Sequence, residues 1–283
     1  MEIRFELSLD YYITHVEPLL LKKEASNNLM LGILKRIKQD PDAHENGYFL
    51  GIAEQDDEAV FAFMQTPPNN WILAAVDHVS NDVIENVAAF IFNKRAAVPG
   101  VLGPVEKADV FTNEWERLTN IESSIHMKQL IYRMDEINPL PTVQGELRHA
   151  TEDDCALVKS WLVQFGEEAN EPLSNAYAEQ LASSFIGKYS MYLWEVDGVP
   201  VSMANQSRKT ENGATINAVF TPDEFKRNGY ATAVVAGLSS KLLAEGSSFC
   251  SLYTDLDNPD SNSIYRKIGY KEVGKSIVYE FKA

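Results

Sequence analysis

The sequence predicts a two-domain α/β protein in which each domain is a mixed β-sheet covered by helices. Three observations carry this. The chain has 283 residues, more than a single core usually organises. A proline-marked break, Asn138-Pro139-Leu140-Pro141 followed by Gly145, opposes both helix and central strand. It divides residues 1–141 from residues 142–283. Beyond it, apolar periodicity switches between two and 3.6 residues in the order β-α-α-β-β-β-α-β-α-β.

Each element of the second half has a local cause. Residues 146–150 form a short strand, and Thr151-Glu152-Asp153-Asp154 then resembles a capping box. Cys155, Val158, Trp161, Leu162 and Phe165 recur at helical spacing behind it. A helix over 175–186 places Tyr177, Leu181 and Phe185 on one face. Strands at 191–196 and 199–206 flank the turn Asp197-Gly198, and Asn212-Gly213 turns into a strand at 214–220. A helix at 230–244, with Ala231, Val234, Val235, Leu238 and Leu242 as its apolar stripe, a strand at 249–254, a helix at 259–268 and a strand at 276–281 follow. Three antiparallel strands lead into a parallel βαβ unit, so one mixed sheet with helices on both faces is expected.

The first half gives strands at 48–53, 59–64 and 71–76 and a helix at 81–93. A buried strand spans Pro99-Gly100-Val101-Leu102-Gly103-Pro104, before a helix at 111–118 and a strand at 128–134. The tail β-β-α-β-α-β repeats the order of the second half and reads as a diverged copy.

Composition narrows the partners. A formal net charge of −16 opposes a general nucleic-acid or anionic-membrane binder and suits cationic small molecules or peptides, with solubility alone as the alternative reading. No apolar run approaches the roughly 20 residues of a membrane span. The opening MEIRFELSLD has no signal-peptide core. Cys155 and Cys250 form no disulfide framework and are expected in the core of a cytoplasmic protein. His15, His44, His78, His126 and His149 show no ligand spacing, so no metal is expected.

An anionic ligand in so acidic a chain must be held by local geometry. The segment from Val219 to Thr232 joins a strand to a helix that begins abruptly. Its first N–H groups have no intrahelical partners, and with the helix dipole they suit a phosphate. Gly229 permits close approach, Ala231 keeps the next position small, and Lys226 and Arg227 add positive charge. A plain strand-to-helix turn is the structural alternative. A second segment, from Asp257 to Tyr270, is a punctuated helix. Asp257 or Asn258 caps it, Pro259 opens it and Gly269 stops it, with Ser261, Ile264, Tyr265 and Ile268 near one face. Tyr265 reads there as a core residue in the absence of other information.

These two segments together resemble the GNAT superfamily of acyl-coenzyme A-dependent N-acyltransferases. The family's pyrophosphate loop, Gln/Arg-x-x-Gly-x-Gly/Ala, is matched by Lys226-Arg227-Asn228-Gly229-Tyr230-Ala231. Its later segment is matched by Asn258, Ser261, Tyr265, Gly269 and Tyr270. The two lie about 35 residues apart, and the resemblance covers roughly residues 145–283. Lys226 and Arg227 depart from the usual residues. The whole chain resembles a bacterial subgroup with tandem GNAT-like halves. The turn Asp77-His78-Val79-Ser80-Asn81-Asp82 in the first half has no glycine, which marks that half as degenerate and without cofactor.

The resemblance implies an acetyltransferase that passes an acetyl group from acetyl-coenzyme A to an amine of a small molecule or peptide by direct attack. It implies that Val219, Phe220 and Thr221 lie along the pantetheine, the Val219 N–H polarising the thioester. Arg227, Asn228, Gly229, Tyr230, Ala231 and Thr232 would cradle the pyrophosphate, Asn258 would contact the pantetheine arm, and Tyr265 would act as general acid. Candidate bases are Glu168, Glu171, Glu195 and Asp255, and the acidic run 166–171 suggests a cationic acceptor. The alternatives are a non-catalytic acyl-coenzyme A sensor and a structural α/β protein without cofactor.

Overall fold

In the first half, alternating apolar residues build a sheet around which two helices, absent from the sequence reading, are wrapped. The structure, a computed structural model, describes residues 1–40 and 47–282, so His44 lies outside the described residues. Strand β1 (Glu2–Phe5) precedes helices α1 (Leu9–Leu21) and α2 (Asn28–Gln39). Ser8 caps α1 by accepting the Tyr11 N–H at 3.2 Å, and Tyr12, Val16 and Leu20 form its buried stripe at a spacing of four. Asn27, almost fully buried, bonds the Leu20 and Ala75 carbonyls at 2.9 Å each and the Ala75 N–H at 2.7 Å. That side chain pins the α1–α2 turn to the main chain beyond the sheet.

Strands β2 (Phe49–Gln55), β3 (Glu58–Gln65) and β4 (Trp71–Leu73) follow, then helix α3 (Asn81–Asn93), strand β5 (Gly100–Pro104), helix α4 (Val105–Thr119) and strand β6 (Ser123–Met134). β1, β2, β3 and β4 pair antiparallel in sequence, and β4 pairs parallel with β5 across the α3 crossover.

The second half begins with β7 (Glu146–His149), a 3₁₀ turn at Glu152–Asp154, and helices α5 (Cys155–Glu168) and α6 (Asn175–Gly187). The expected capping box is present: Asp154 accepts the Thr151 N–H at 2.8 Å and its hydroxyl at 3.1 Å. Strands β8 (Met191–Val196), β9 (Val199–Lys209) and β10 (Gly213–Phe220) are stacked antiparallel behind β7. Asp197 and Gly198 both take positive φ, 49° and 79°, as a two-residue hairpin turn that follows strand twist requires. Helix α7 (Tyr230–Ala244) then leads to β11 (Phe249–Asp255), parallel to β10. Helix α8 (Pro259–Ile268) and strand β12 (Lys271–Phe281) close the chain.

One face of this sheet presents Met191, Leu193, Met203 and Phe220 to Val158, Trp161 and Leu162 of α5 and Ala178, Ala182 and Ile186 of α6. The opposite face carries α7. A Cβ on Gly237 would lie 3.3 Å from the Trp194 ring, so a larger residue here would make helix or ring give by a few tenths of an ångström. The expected mixed sheet with helices on both faces is the observed one.

Packing divides the chain into two units, Tyr132–Glu272 and the remainder, Met1–Ile131 with the last strand from Val273 on. The last strand is longer than the expected 276–281 and pairs antiparallel with β5, Ser276 opposite Pro104 through Glu280 opposite Gly100. It therefore completes the sheet of the first unit. The Pro139-Pro141 segment, where the sequence suggests a linker, lies inside the second unit. There Asn138 donates from its backbone to the Ile268 carbonyl at 2.9 Å and from its amide to the Lys267 carbonyl at 3.2 Å. Among the described residues no helix is long and apolar enough to cross a membrane.

Candidate functional site

The site is built where β10 parts from its neighbour. Its pairing with β11 covers only Gly213–Thr215 against Phe249–Ser251, whereas its pairing with β9 continues to Phe220 opposite Met203. From Ile216 onward one edge of β10 lies outside the parallel ladder. The register shifts between Asn217 and Phe220, and Ala218 has φ 47°, so a bulge turns the strand here. An open strand edge is a template for an extended ligand.

The three strand residues implied for pantetheine differ in what they can offer. Val219 is half-buried. Phe220 is buried with its ring 6.3 Å from that of Trp161, and its carbonyl accepts the Ser202 hydroxyl at 3.0 Å. Thr221 shares a 2.8 Å hydrogen bond with the same hydroxyl. The Phe220 and Thr221 side chains are thus turned into the protein, and their backbone is what remains for a ligand.

A 3₁₀ turn at Asp223–Phe225 leads to α7, which starts at Gly229 in the left-handed region, φ 84°, without a side-chain cap. The Ala233 N–H makes the first return bond, 2.9 Å to the Gly229 carbonyl. The amides of Tyr230, Ala231 and Thr232 precede that bond and gather at the positive end of the helix dipole. Arg227 also has positive φ, 66°, and alternation of backbone hand turns successive N–H groups toward a common point. A Cβ on Gly229 would lie 3.3 Å from Val143 Cγ2 in a backbone conformation that L-residues avoid. Asn228 braces the turn, its amide donating to the Phe225 and Lys226 carbonyls at 3.1 and 3.2 Å. Ala231, expected in the buried stripe of α7, is only half-buried; Ala233 and Ser239 join Val234, Val235, Leu238 and Leu242 instead.

The expected role of Lys226 needs correction. Its ammonium lies 2.7 Å from Asp223 and 2.7 Å from Glu168, and these two carboxylates hold it above its usual pKa range. Its charge is neutralised locally. Arg227 is exposed and makes no ion pair among the described residues, so it is the cation available at this turn.

Helix α8 brings up the second segment. Asn258 caps it, Oδ1 accepting the Ser261 N–H at 3.0 Å, which leaves the amide NH₂ for a ligand. Asn262, Tyr265 and Ile268 are its buried residues, whereas Ser261 and Ile264 are half-buried. Gly269 follows it at φ 123°, and because a Cβ there would meet the Glu136 carbonyl at 2.7 Å, the position requires glycine. Tyr265 packs between Tyr132 and Tyr270, ring centroids 6.1 and 6.0 Å away. The Tyr270 hydroxyl bonds Ser239 of α7 at 2.8 Å, which ties the end of α8 to the helix that starts at Gly229. The Tyr265 hydroxyl has no hydrogen-bond partner among the described residues, and burial pushes its pKa up to about 12. It therefore holds its proton throughout the neutral range.

The candidate bases are mostly engaged. Glu168 pairs with Lys226, and Glu195 pairs with Arg148, which also grips Asp154 at 2.7 and 2.9 Å. Asp255 accepts the Asp257 N–H at 2.9 Å. The Glu171 N–H bonds the Gly166 carbonyl at 2.9 Å, folding the acidic run back on α5. Cys250 is buried and its thiol is raised to about 12 by desolvation, whereas Cys155 is only half-buried. Among the described residues no three His, Cys, Asp or Glu side chains gather as a metal site.

Residues sequence reasoning passed over are Ser190, Ser202, Asn205 and Asn217. The available signal was asparagine inside two strands, where that residue is depleted.

Residues 197–278 match the family described as FR47-like protein. This span contains β9 to α8, and with them the open edge and both helix starts. No curated protein matches the chain. An acetyltransferase from the GNAT family of Colwellia psychrerythraea matches at 12% identity and a TM-score of 0.59, covering 100% of both chains. A GCN5-related N-acetyltransferase from Sphaerobacter thermophilus matches at 12% identity and a TM-score of 0.61, over 99% of this chain and 95% of that one. A tandem GNAT protein from the clavulanic acid biosynthesis pathway matches at 11% identity and a TM-score of 0.60, over 98% of each. These likenesses show fold, and the fold of this chain is that of the GNAT acetyltransferases, with its halves in tandem.

Proposed function

We propose that the unit Tyr132–Glu272 binds an acyl-coenzyme A, acetyl-coenzyme A first among them, and transfers the acyl group to an amine. The observation that carries this reading is the uncapped, left-handed start of α7 beside a strand edge that has left its ladder. Bound there, acyl-coenzyme A supplies a thioester for the amine to attack. The Tyr230, Ala231 and Thr232 amides and Arg227 hold the pyrophosphate, and Gly229 keeps the approach open. The Val219 to Thr221 backbone aligns the arm, the Val219 N–H donates to the acyl oxygen, and the Asn258 amide steadies the arm farther along.

Tyr265 donates a hydrogen bond to the sulfur as the carbon–sulfur bond breaks. Its raised pKa sets the limit of that role. A phenol near 12 lies well above a thiol near about 8.5, so complete proton transfer is uphill. Tyr265 stabilises the departing sulfur, and the proton that finally reaches it is the one the amine loses. No covalent enzyme intermediate is required. The acceptor meets the acidic run 166–171, which favours a cationic amine.

Thiol release with acetyl-coenzyme A and a panel of amines, beside calorimetric titration of acetyl-coenzyme A, tests the reading. Saturable binding with amine-dependent release is expected. Binding without release on any amine would instead favour a sensor, and no binding would remove both.

A further inference from the structure

Asn217 is an exposed asparagine in the middle of β10, on a face that two helices otherwise cover. The face follows from alternation along the partner strand. Asn217 sits opposite Asn205, two residues from Met203 on β9, and Met203 packs in the core beneath α5 and α6. Exposure at that point means the helices leave a gap over β10, next to the end of its parallel ladder.

The amide facing the gap is held by a directional chain. The Phe185 carbonyl already accepts the Ser190 backbone N–H at 2.9 Å, and the Ser190 hydroxyl lies nearer Asn205 Oδ1, 2.8 Å, than that carbonyl, 3.1 Å. In the arrangement observed, the hydroxyl donates to Asn205 Oδ1 as its shorter contact. Asn205, with no exposed surface, then points Nδ2 at Asn217 Oδ1, 2.8 Å away. With its oxygen engaged, Asn217 turns its NH₂ toward the gap.

We infer that Asn217 is a specificity-determining donor for the acceptor, binding a carbonyl oxygen beside the nucleophilic nitrogen. The acceptor class is then an α-amino carbonyl compound such as an amino amide or a peptide N-terminus. Direction separates this contact from the thioester's. Backbone groups at the edge of β10 point along the sheet, whereas the Asn217 side chain stands off its face. A molecule touching Asn217 therefore lies over the face, beside the strand edge that the thioester would follow. The inference rests on the acyl-transfer reading above.

The test compares alaninamide with isopropylamine, which replaces the carboxamide by a methyl. Asn217→Asp keeps an oxygen for Asn205 and replaces the donor facing the gap by an acceptor. Loss of one such hydrogen bond lowers kcat/KM for alaninamide about tenfold, mainly through KM. The constant for isopropylamine is expected to change less than about twofold, with acetyl-coenzyme A affinity unchanged by calorimetry. Asn217→Ala repeats the comparison without an added charge and guards against a folding defect in the aspartate variant. Alaninamide turnover that both variants leave intact, or an equal fall on both amines, overturns the inference alone. Absence of thiol release by the unaltered protein with every amine, despite acetyl-coenzyme A binding, overturns acyl transfer and the inference with it.

Discussion

Tyr265 shows how burial decides what a residue can do. Packed between two other tyrosines, its hydroxyl is raised to about 12, which makes it a permanent donor and a reluctant acid. Tyr265→Phe removes only that oxygen. Steady-state kinetics is expected to show kcat falling by roughly 10- to 100-fold, with the acetyl-coenzyme A dissociation constant nearly unchanged. Between pH 7 and 10 the unaltered protein is expected to show no loss from ionisation of this group, because its active protonated form disappears only as pH rises through its raised pKa. Unchanged turnover in the variant would remove Tyr265 from the chemistry. Asn258 as cap and Gly269 as stop of α8, with Tyr265 as a buried residue of that helix, were legible beforehand from helix punctuation. The partners of Lys226 were not, because Glu168 lies 58 positions away and comes close only when the end of α5 folds beside the turn before α7. The Asn205–Asn217 pair was hidden for a related reason: it depends on register across a bulge.

At the scale of the element, punctuation was the readable signal. Asp197-Gly198, Asn212-Gly213, Gly229, Pro259 and Gly269 mark turns or helix ends in the structure close to where sequence put them. Helices α1 and α2 went unread. α1 contains Pro18, which argues against a helix, and its stabilisation comes from tertiary burial of Tyr12, Val16 and Leu20. The start of α5 offers a test of local energetics. Arg148 holds the Asp154 carboxyl below its usual range, against an opposing desolvation, and the Thr151 N–H adds to the lowering. A depressed carboxylate contributes stability above its unfolded pKa and loses it as pH falls through the folded value. Asp154→Asn is therefore expected to cost roughly 1–3 kcal/mol at pH 7. The gap should narrow toward pH 3 in chemical denaturation. An equal cost at both pH values would assign the effect to packing instead of charge.

For the whole molecule, the repeat of element order was visible, but the place of the last strand was not. Sequence assigns 276–281 to the second half, whereas β12 pairs with β5 and packs Tyr279 and Phe281 on the first core. Nothing in an apolar strand says which sheet it will join. The two halves also differ where an anion would bind. The turn into α3 is flanked by Asp77 and Asp82, the turn into α7 by Arg227 and Gly229. On the acyl-transfer reading proposed above, one site per chain is expected. Calorimetry of the full protein with acetyl-coenzyme A and with S-acetyl-pantetheine, which lacks the diphosphate, measures this directly. One equivalent of acetyl-coenzyme A, bound at least about tenfold more tightly than S-acetyl-pantetheine, with that preference reduced by Gly229→Ala, is the predicted result. Equal affinity for the two ligands, or a preference that Gly229→Ala leaves untouched, would contradict it.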